Sequence, residues 1–177
     1  METELEVMQR AARVKIMIFD VDGVLTDGSL TYDANGEITK TFFVLDGLGI
    51  QMLNRTGVKT AIISARNSPI VIKRAADLGI THVFQGHHDK RIALTDLLGR
   101  TGFTAEQCGY IGDDVIDLPL LTRVGFAVTV PSGHPDVRQH AHYVTKNPGG
   151  RGAVREVCDM LMRAQGTYEQ ALAPYLG

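Results

Sequence analysis

The sequence has no marked excess of charge of either sign. Its 18 lysines and arginines face 20 aspartates and glutamates, for a formal net charge of −2. Chains that grip nucleic acid usually carry a clear basic surplus, so no nucleic-acid partner is expected. A small anion remains open as a ligand, since it needs only a few local cations. Cysteine is scarce. Cys108 and Cys158 lie far apart and form no CxxC or Cys/His cluster, which leaves no framework for a disulfide scaffold or a structural zinc. Both read as small buried hydrophobes. No apolar run approaches the length of a membrane span, and the first thirteen residues carry Glu2, Glu4 and Glu6 rather than a signal-peptide core. A soluble cytoplasmic protein with no membrane partner is expected. Repeats, low-complexity tracts and linkers are missing too. What remains is 177 residues, 44% apolar and 21% charged, enough for one domain spanning 1–177 around a hydrophobic core.

Short β-branched runs alternate with stretches of helical periodicity. Val14 to Phe19, Val58 to Ile63, Val83-Phe84, Gly109 to Ile111 and Phe126 to Val128 read as buried strands. Leu48 to Thr56, Pro69 to Leu78, Lys90 to Leu98 and Val115 to Arg123 read as helices, followed by Gly57, Gly79, Gly102 and Gly125. This order predicts an α/β fold, a Rossmann-like parallel sheet with helices on both faces. One stretch breaks the alternation. From 29 to 44 two β-prone arms flank Asp33-Ala34-Asn35-Gly36, which predicts a hairpin flap too short to be a lid domain. Residues 146–177 form a tail with a closing helix near Gly152 to Arg163. Its Val154, Val157, Cys158 and Leu161 pack into the core or an interface.

Parallel sheets bind ligands at the carboxyl ends of their strands. Four groups fall there: Asp20-Val21-Asp22-Gly23, Ser64-Ala65-Arg66, Lys90, and Gly112-Asp113-Asp114 with Asp117 three residues on. Phosphoryl transfer wants this set. Crowded carboxylates repel, and a hard cation such as Mg2+ relieves them while keeping substrate phosphate in its shell. Asp20 can attack phosphorus and Asp22 can protonate the leaving oxygen, then activate water. Lys90 would neutralise charge on the transferring group and Ser64 would hydrogen-bond it. Gly23 would let backbone N–H groups approach phosphate oxygens. A lone Asp-x-Asp or Gly-Asp-Asp is weak; the ordered set on successive strand–helix units is specific.

These motifs resemble the haloacid dehalogenase superfamily of phosphatases over nearly the whole chain, and the short hairpin resembles its capless subgroup. The resemblance implies Asp20 as nucleophile and Asp22 as general acid/base, the latter also lending a backbone carbonyl to magnesium. It implies Asp113 as the third protein ligand, with Asp114 and Asp117 standing behind the metal. Within the subgroup three segments are similar to the family of 3-deoxy-D-manno-octulosonate 8-phosphate (KDO 8-phosphate) phosphatases. They are Phe19 to Gly28, Asp46-Gly47-Leu48-Gly49-Ile50, and Gly149 to Asp159. Ser64-Ala65-Arg66 and Ala164-Gln165-Gly166 add to it. That implies release of KDO and phosphate in lipopolysaccharide precursor biosynthesis, by a homotetramer whose neighbouring subunits cover the site. His87-His88-Asp89 departs from the Gln/Ser/Asn-type loop of similar proteins.

Arg66 and the glycine-flanked Arg151 are candidates to hold a sugar carboxylate, against a reading as solvated surface charges. Thr26, Asp27 and Gly28 follow the nucleophile and join Gly23 in the substrate-binding set, though they also suit a turn. The six histidines are scattered without metal-ligand spacing. Two rivals carry the same residues: a phosphatase of a nonulosonate 9-phosphate, and a receiver-type phospho-acceptor domain. Receivers place their acidic pair first and the phosphorylated aspartate on another strand, and Asp22 gives this chain a hydrolytic acid/base that they lack.

Overall fold

The chain alternates β-branched strands with amphipathic helices, and it folds accordingly. The structure is a computed structural model that describes residues 2–176, except for the side chains of Glu37 and Ile38. Its elements are α1 (Glu4–Ala12), β1 (Ile16–Phe19), β2 (Thr31–Asp33), β3 (Gly36–Thr39), α2 (Val44–Arg55), β4 (Lys59–Ile63), α3 (Pro69–Leu78) and β5 (His82–Phe84). Then come α4 (Lys90–Thr101), β6 (Cys108–Ile111), α5 (Leu118–Leu121), β7 (Phe126–Thr129), α6 (Pro135–His140), β8 (Tyr143–Val144), α7 (Ala153–Ala164) and α8 (Tyr168–Leu172).

Six strands form one parallel sheet in the order β5-β4-β1-β6-β7-β8. The period of two along β1 sends Met17 and Phe19 to one face and Ile16 and Ile18 to the other. The first face is covered by α1, α2, α3 and α7, and the second by α4, α5 and α6. The apolar stripe of α7 expected to pack is buried, with Val154, Val157, Cys158 and Leu161 inaccessible to solvent. Both cysteines are buried and free. Among the described residues no helix is long and apolar enough to cross a membrane.

The Asp46-Gly47-Leu48-Gly49 segment joins α2 to α7. Asp46 accepts from Arg155 N at 2.8 Å and Gly152 N at 3.4 Å, so it caps the start of α7. At Gly49 a Cβ would come within 2.8 Å of the Arg155 side chain.

Two elements differ from expectation. The hairpin forms around Asn35-Gly36, with Asn35 N donating to Asp33 Oδ1 at 2.7 Å, but its second arm stops at Thr39, short of the expected range of 29–44. Phe42 instead packs onto the core beneath the Arg74 guanidinium, and α2 starts at Val44. The helix expected over Val115 to Arg123 is a 3-10 turn (Val115–Asp117) followed by the single turn of α5. Asp117 accepts from the Asp113 and Asp114 N–H groups and closes a capping box with Asp114, while Pro119, with no N–H to donate, separates α5 from the turn. The α1, α6, β8 and α8 elements carried no sequence expectation.

Candidate active site

The central strand β1 runs between β4 and β6 and delivers Asp20 to the carboxyl edge of the sheet. Asp20 N still donates to Ile111 O at 3.0 Å, so the nucleophile candidate is fixed by the ladder itself. Beyond it the chain coils tightly, with Val24, Leu25 and Thr26 N all directed at Val21 O. Gly23 has φ +88, and a Cβ there would lie 2.0 Å from Asp113 Oδ2. A glycine is needed because the Asp113 carboxylate packs on its α-carbon. Its N–H points to Thr26 Oγ1 at 3.3 Å, and Gly28 N points to the same oxygen at 3.2 Å. Gly23 and the buried Thr26 therefore build the loop.

Lys90 opens α4 behind its cap Asp89 and is buried. Its ammonium lies 2.9 Å from Asp20 Oδ1, 2.6 Å from Asp117 Oδ1 and 3.0 Å from Tyr110 Oη. Tyr110 Oη donates to the same Asp117 oxygen at 2.5 Å, while Asp117 Oδ2 accepts from Asp113 N and Asp114 N. Both Asp117 oxygens are thus committed within the protein. Ligand oxygens of Asp20, Asp113 and Asp117 lie within 4.8 Å of one another. Burial, with the nearby Asp117 charge, pushes the Asp20 and Asp113 carboxyls up to about 7; Lys90 opposes this without winning. Burial works against the Lys90 ammonium, yet its two carboxylate partners hold it above its ordinary value. Repelling oxygen donors of this kind suit a small hard cation.

The other wall comes from β4 and the hairpin. Ser64 is buried at the end of β4, and its Oγ accepts from Arg66 N at 3.3 Å. Arg66 Nη1 and Nη2 donate to Tyr32 Oη at 2.9 and 3.1 Å, and its Nε lies 3.9 Å from Asp22 Oδ2. Lys40 Nζ lies 2.5 Å from Asp22 Oδ1. Between the walls is an open cleft of about 270 Å³. Two hollows are larger, about 700 and 610 Å³, but they lie along α1, β8 and α7 and beside α6. The first is lined by Glu156, whose oxygens are already taken by Tyr143, Lys146 and Asn147, and neither gathers comparable chemistry.

Of the residues singled out from sequence, Asp20, Asp22, Gly28, Ser64, Arg66, Lys90, Asp113 and Asp114 line this one cleft. Asp117 stands buried behind them. Gly23, Thr26 and Asp27 sit in the loop beneath rather than in the lining, and Asp27 is exposed, accepting from Ser29 N at 2.9 Å. Arg151 is exposed and outside the lining; its charge acts on Asp27. The tail is nevertheless seated on the loop that follows Asp20. Gly150 N donates to Val24 O at 2.8 Å, and a Cβ on Gly149 would lie 1.8 Å from Gly23 O. His87 sets its ring edge to Phe84, and neither His87 nor His88 reaches the cleft wall. Sequence reasoning missed Lys40, Tyr32 and Tyr110. Tyr110 had a signal: a phenol in a fully buried strand just ahead of Gly-Asp-Asp needs a polar partner. Lys40 and Tyr32 had none, because only the fold brings the hairpin to Asp22.

The model of the haloacid dehalogenase-like hydrolase family matches residues 75–156. The chain is 46% identical over 166 residues to 3-deoxy-D-manno-octulosonate 8-phosphate phosphatase KdsC of Escherichia coli (strain B / BL21-DE3), covering 94% of this chain and 88% of that one. A probable YrbI family phosphatase from Pseudomonas syringae is 48% identical with a TM-score of 0.96, over 98% of this chain and 99% of that one. The 3-deoxy-D-manno-octulosonate 8-phosphate phosphatase of Moraxella catarrhalis, solved with magnesium, phosphate and KDO, is 42% identical with a TM-score of 0.94 over the same shares.

Proposed function

The chain belongs to the haloacid dehalogenase-like hydrolases, in the family of the KDO 8-phosphate phosphatases, and we propose that it hydrolyses KDO 8-phosphate to KDO and phosphate through a phosphorylated Asp20. The observation that carries this reading is the buried Asp20–Lys90–Asp117 line beside Asp113 at the carboxyl edge of the sheet.

Asp20 supplies the attacking carboxylate oxygen, and the Lys90 ammonium offsets charge gathering on the transferring phosphoryl group. Ser64 donates a hydrogen bond to that group. Asp22 gives a proton to the sugar oxygen as its bond to phosphorus breaks, then takes one from the water that attacks the aspartyl-phosphate. Magnesium is the cofactor; Asp20, Asp113 and the Asp22 backbone carbonyl would hold it, and when bound it neutralises phosphoryl oxygens. Asp117 supports these groups from behind, in keeping with its fully committed oxygens, and Asp114 does so from the cleft rim. Arg66, and Arg151 from the exposed tail, hold the sugar carboxylate, with Gly28 shaping the floor.

We take residues 1–177 as one catalytic domain, with 29–44 as a flap and 146–177 as a tail. The enzyme acts in the cytoplasm as a homotetramer whose neighbouring subunits cover the cleft. Leu30, Tyr32, Val44 and Leu45 are exposed around the hairpin, an apolar edge that a second subunit would bury. The test is kcat/KM on KDO 8-phosphate, a nonulosonate 9-phosphate and an aryl phosphate, with magnesium and after chelation. KDO 8-phosphate should lead, and chelation should abolish turnover. A higher value for the nonulosonate, or full activity after chelation, overturns the reading.

A further inference from the structure

A carboxylate on a loop, with a fifth of its side chain open to solvent, ordinarily samples several rotamers. Asp22 has a cation facing each oxygen. Lys40, immediately after β3, puts its ammonium 2.5 Å from Oδ1, and its own side chain is only 2% exposed. Arg66 approaches Oδ2 at 3.9 Å and is braced by Tyr32 Oη on the opposite arm of the hairpin. A two-stranded hairpin is marginal by itself, so these ties also seat it. One cation on Asp22 is therefore carried by the hairpin and the other is steadied by it.

We propose that Lys40 is a positioning residue that fixes the Asp22 rotamer, so that the hairpin of the same chain aims the acid/base carboxylate at the oxygen between phosphorus and sugar. The proposal rests on the acid/base role of Asp22 given above. It is distinct from a direct grip on the substrate. A lysine acting through Asp22 changes kcat on every phosphate monoester, whereas a lysine touching the sugar acid changes KM for that substrate alone.

The experiment compares the wild type with Lys40→Met, Lys40→Arg and Tyr32→Phe on KDO 8-phosphate and on a small alkyl phosphate. Lys40→Met should lower kcat on both by about 10- to 100-fold with KM changed less than about threefold, the scale expected for a displaced catalytic group. Lys40→Arg should recover most of that loss. In an Asp22→Asn background, Lys40→Met should alter the single-turnover rate of phosphoenzyme formation from an aryl phosphate by less than about twofold, since its target is gone. An unchanged kcat, a loss confined to KM, or an equal loss in both backgrounds overturns the proposal. If Lys40→Met does not fold, the other two variants carry the test. Each should lower kcat on the alkyl phosphate a few-fold at constant KM, since that ester lacks the carboxylate assigned to Arg66, and wild-type kcat in both overturns it. Wild-type turnover of the alkyl phosphate without turnover of KDO 8-phosphate would overturn the substrate reading, and the Lys40 comparison would still be decided on the alkyl ester.

Discussion

A lysine ammonium buried between Asp20 and Asp117 is tolerable only while both carboxylates face it. Removing it leaves Asp20, Asp113 and Asp117 crowded with no internal cation. Lys90→Met should therefore lower metal-free stability by about 3–5 kcal/mol, the range for breaking a buried pair, read by denaturant melts. Wild-type stability would mean the line of charge is not formed. The raised carboxyls make a second prediction. Asp20 and Asp113 titrate at 3.8 ordinarily and at about 7 in the folded chain. Between those values the folded state holds more protons than the unfolded one. Their contribution is full below about 4 and is lost as pH rises through about 7. In the proposed site magnesium binds the ionised pair, so its stabilisation should be small at pH 5 and large at pH 8. Thermal melts with and without magnesium check this, and a metal effect that shrinks as pH rises contradicts it. At this scale Asp20, Asp22, Ser64, Lys90 and Asp113 were legible, because each closely follows a strand or starts a helix in an ordered series. Lys40 and Tyr32 were not, because their partner Asp22 is reached only through the hairpin's fold.

At the scale of elements, the sheet was legible from β-branched runs and the helices from their periodicity and closing glycines. Boundaries failed where a side chain outside the local pattern decided them. Pro119 divides one expected helix after the Asp114–Asp117 capping box, and Phe42 leaves the hairpin arm to pack on the core. Asp46 shows why a family-like segment can be structural. It caps α7 from α2, and burial raises its carboxyl. Asp46→Ala should cost about 1–2 kcal/mol in denaturant melts, the usual cost of a lost cap, while leaving magnesium affinity unchanged. A change in affinity with intact stability would assign Asp46 to the site instead. Gly149 ties the tail to the loop that follows Asp20 by close approach, a constraint that sequence could show only as a run of glycines.

At the scale of the whole molecule, the cleft is open and Arg151 stands outside its lining, on the exposed tail. In the proposed tetramer Arg151 recognises substrate from the flank, so Arg151→Ala should raise KM for KDO 8-phosphate about tenfold, the loss of a charged contact. An aryl phosphate lacking the carboxylate should be nearly unaffected. Equal losses on both would make the tail a scaffold for the loop. The proposed mechanism has Asp20 carry the phosphoryl group. Its most direct test is rapid acid quench of the enzyme turning over KDO 8-phosphate labelled in the phosphoryl group, with magnesium present. The label should appear transiently on the peptide containing Asp20, as an acyl phosphate released by hydroxylamine, and should be absent in Asp20→Asn. Turnover within about tenfold of wild type in Asp20→Asn, only about 1.4 kcal/mol of barrier, would contradict this mechanism, as would label on any other residue.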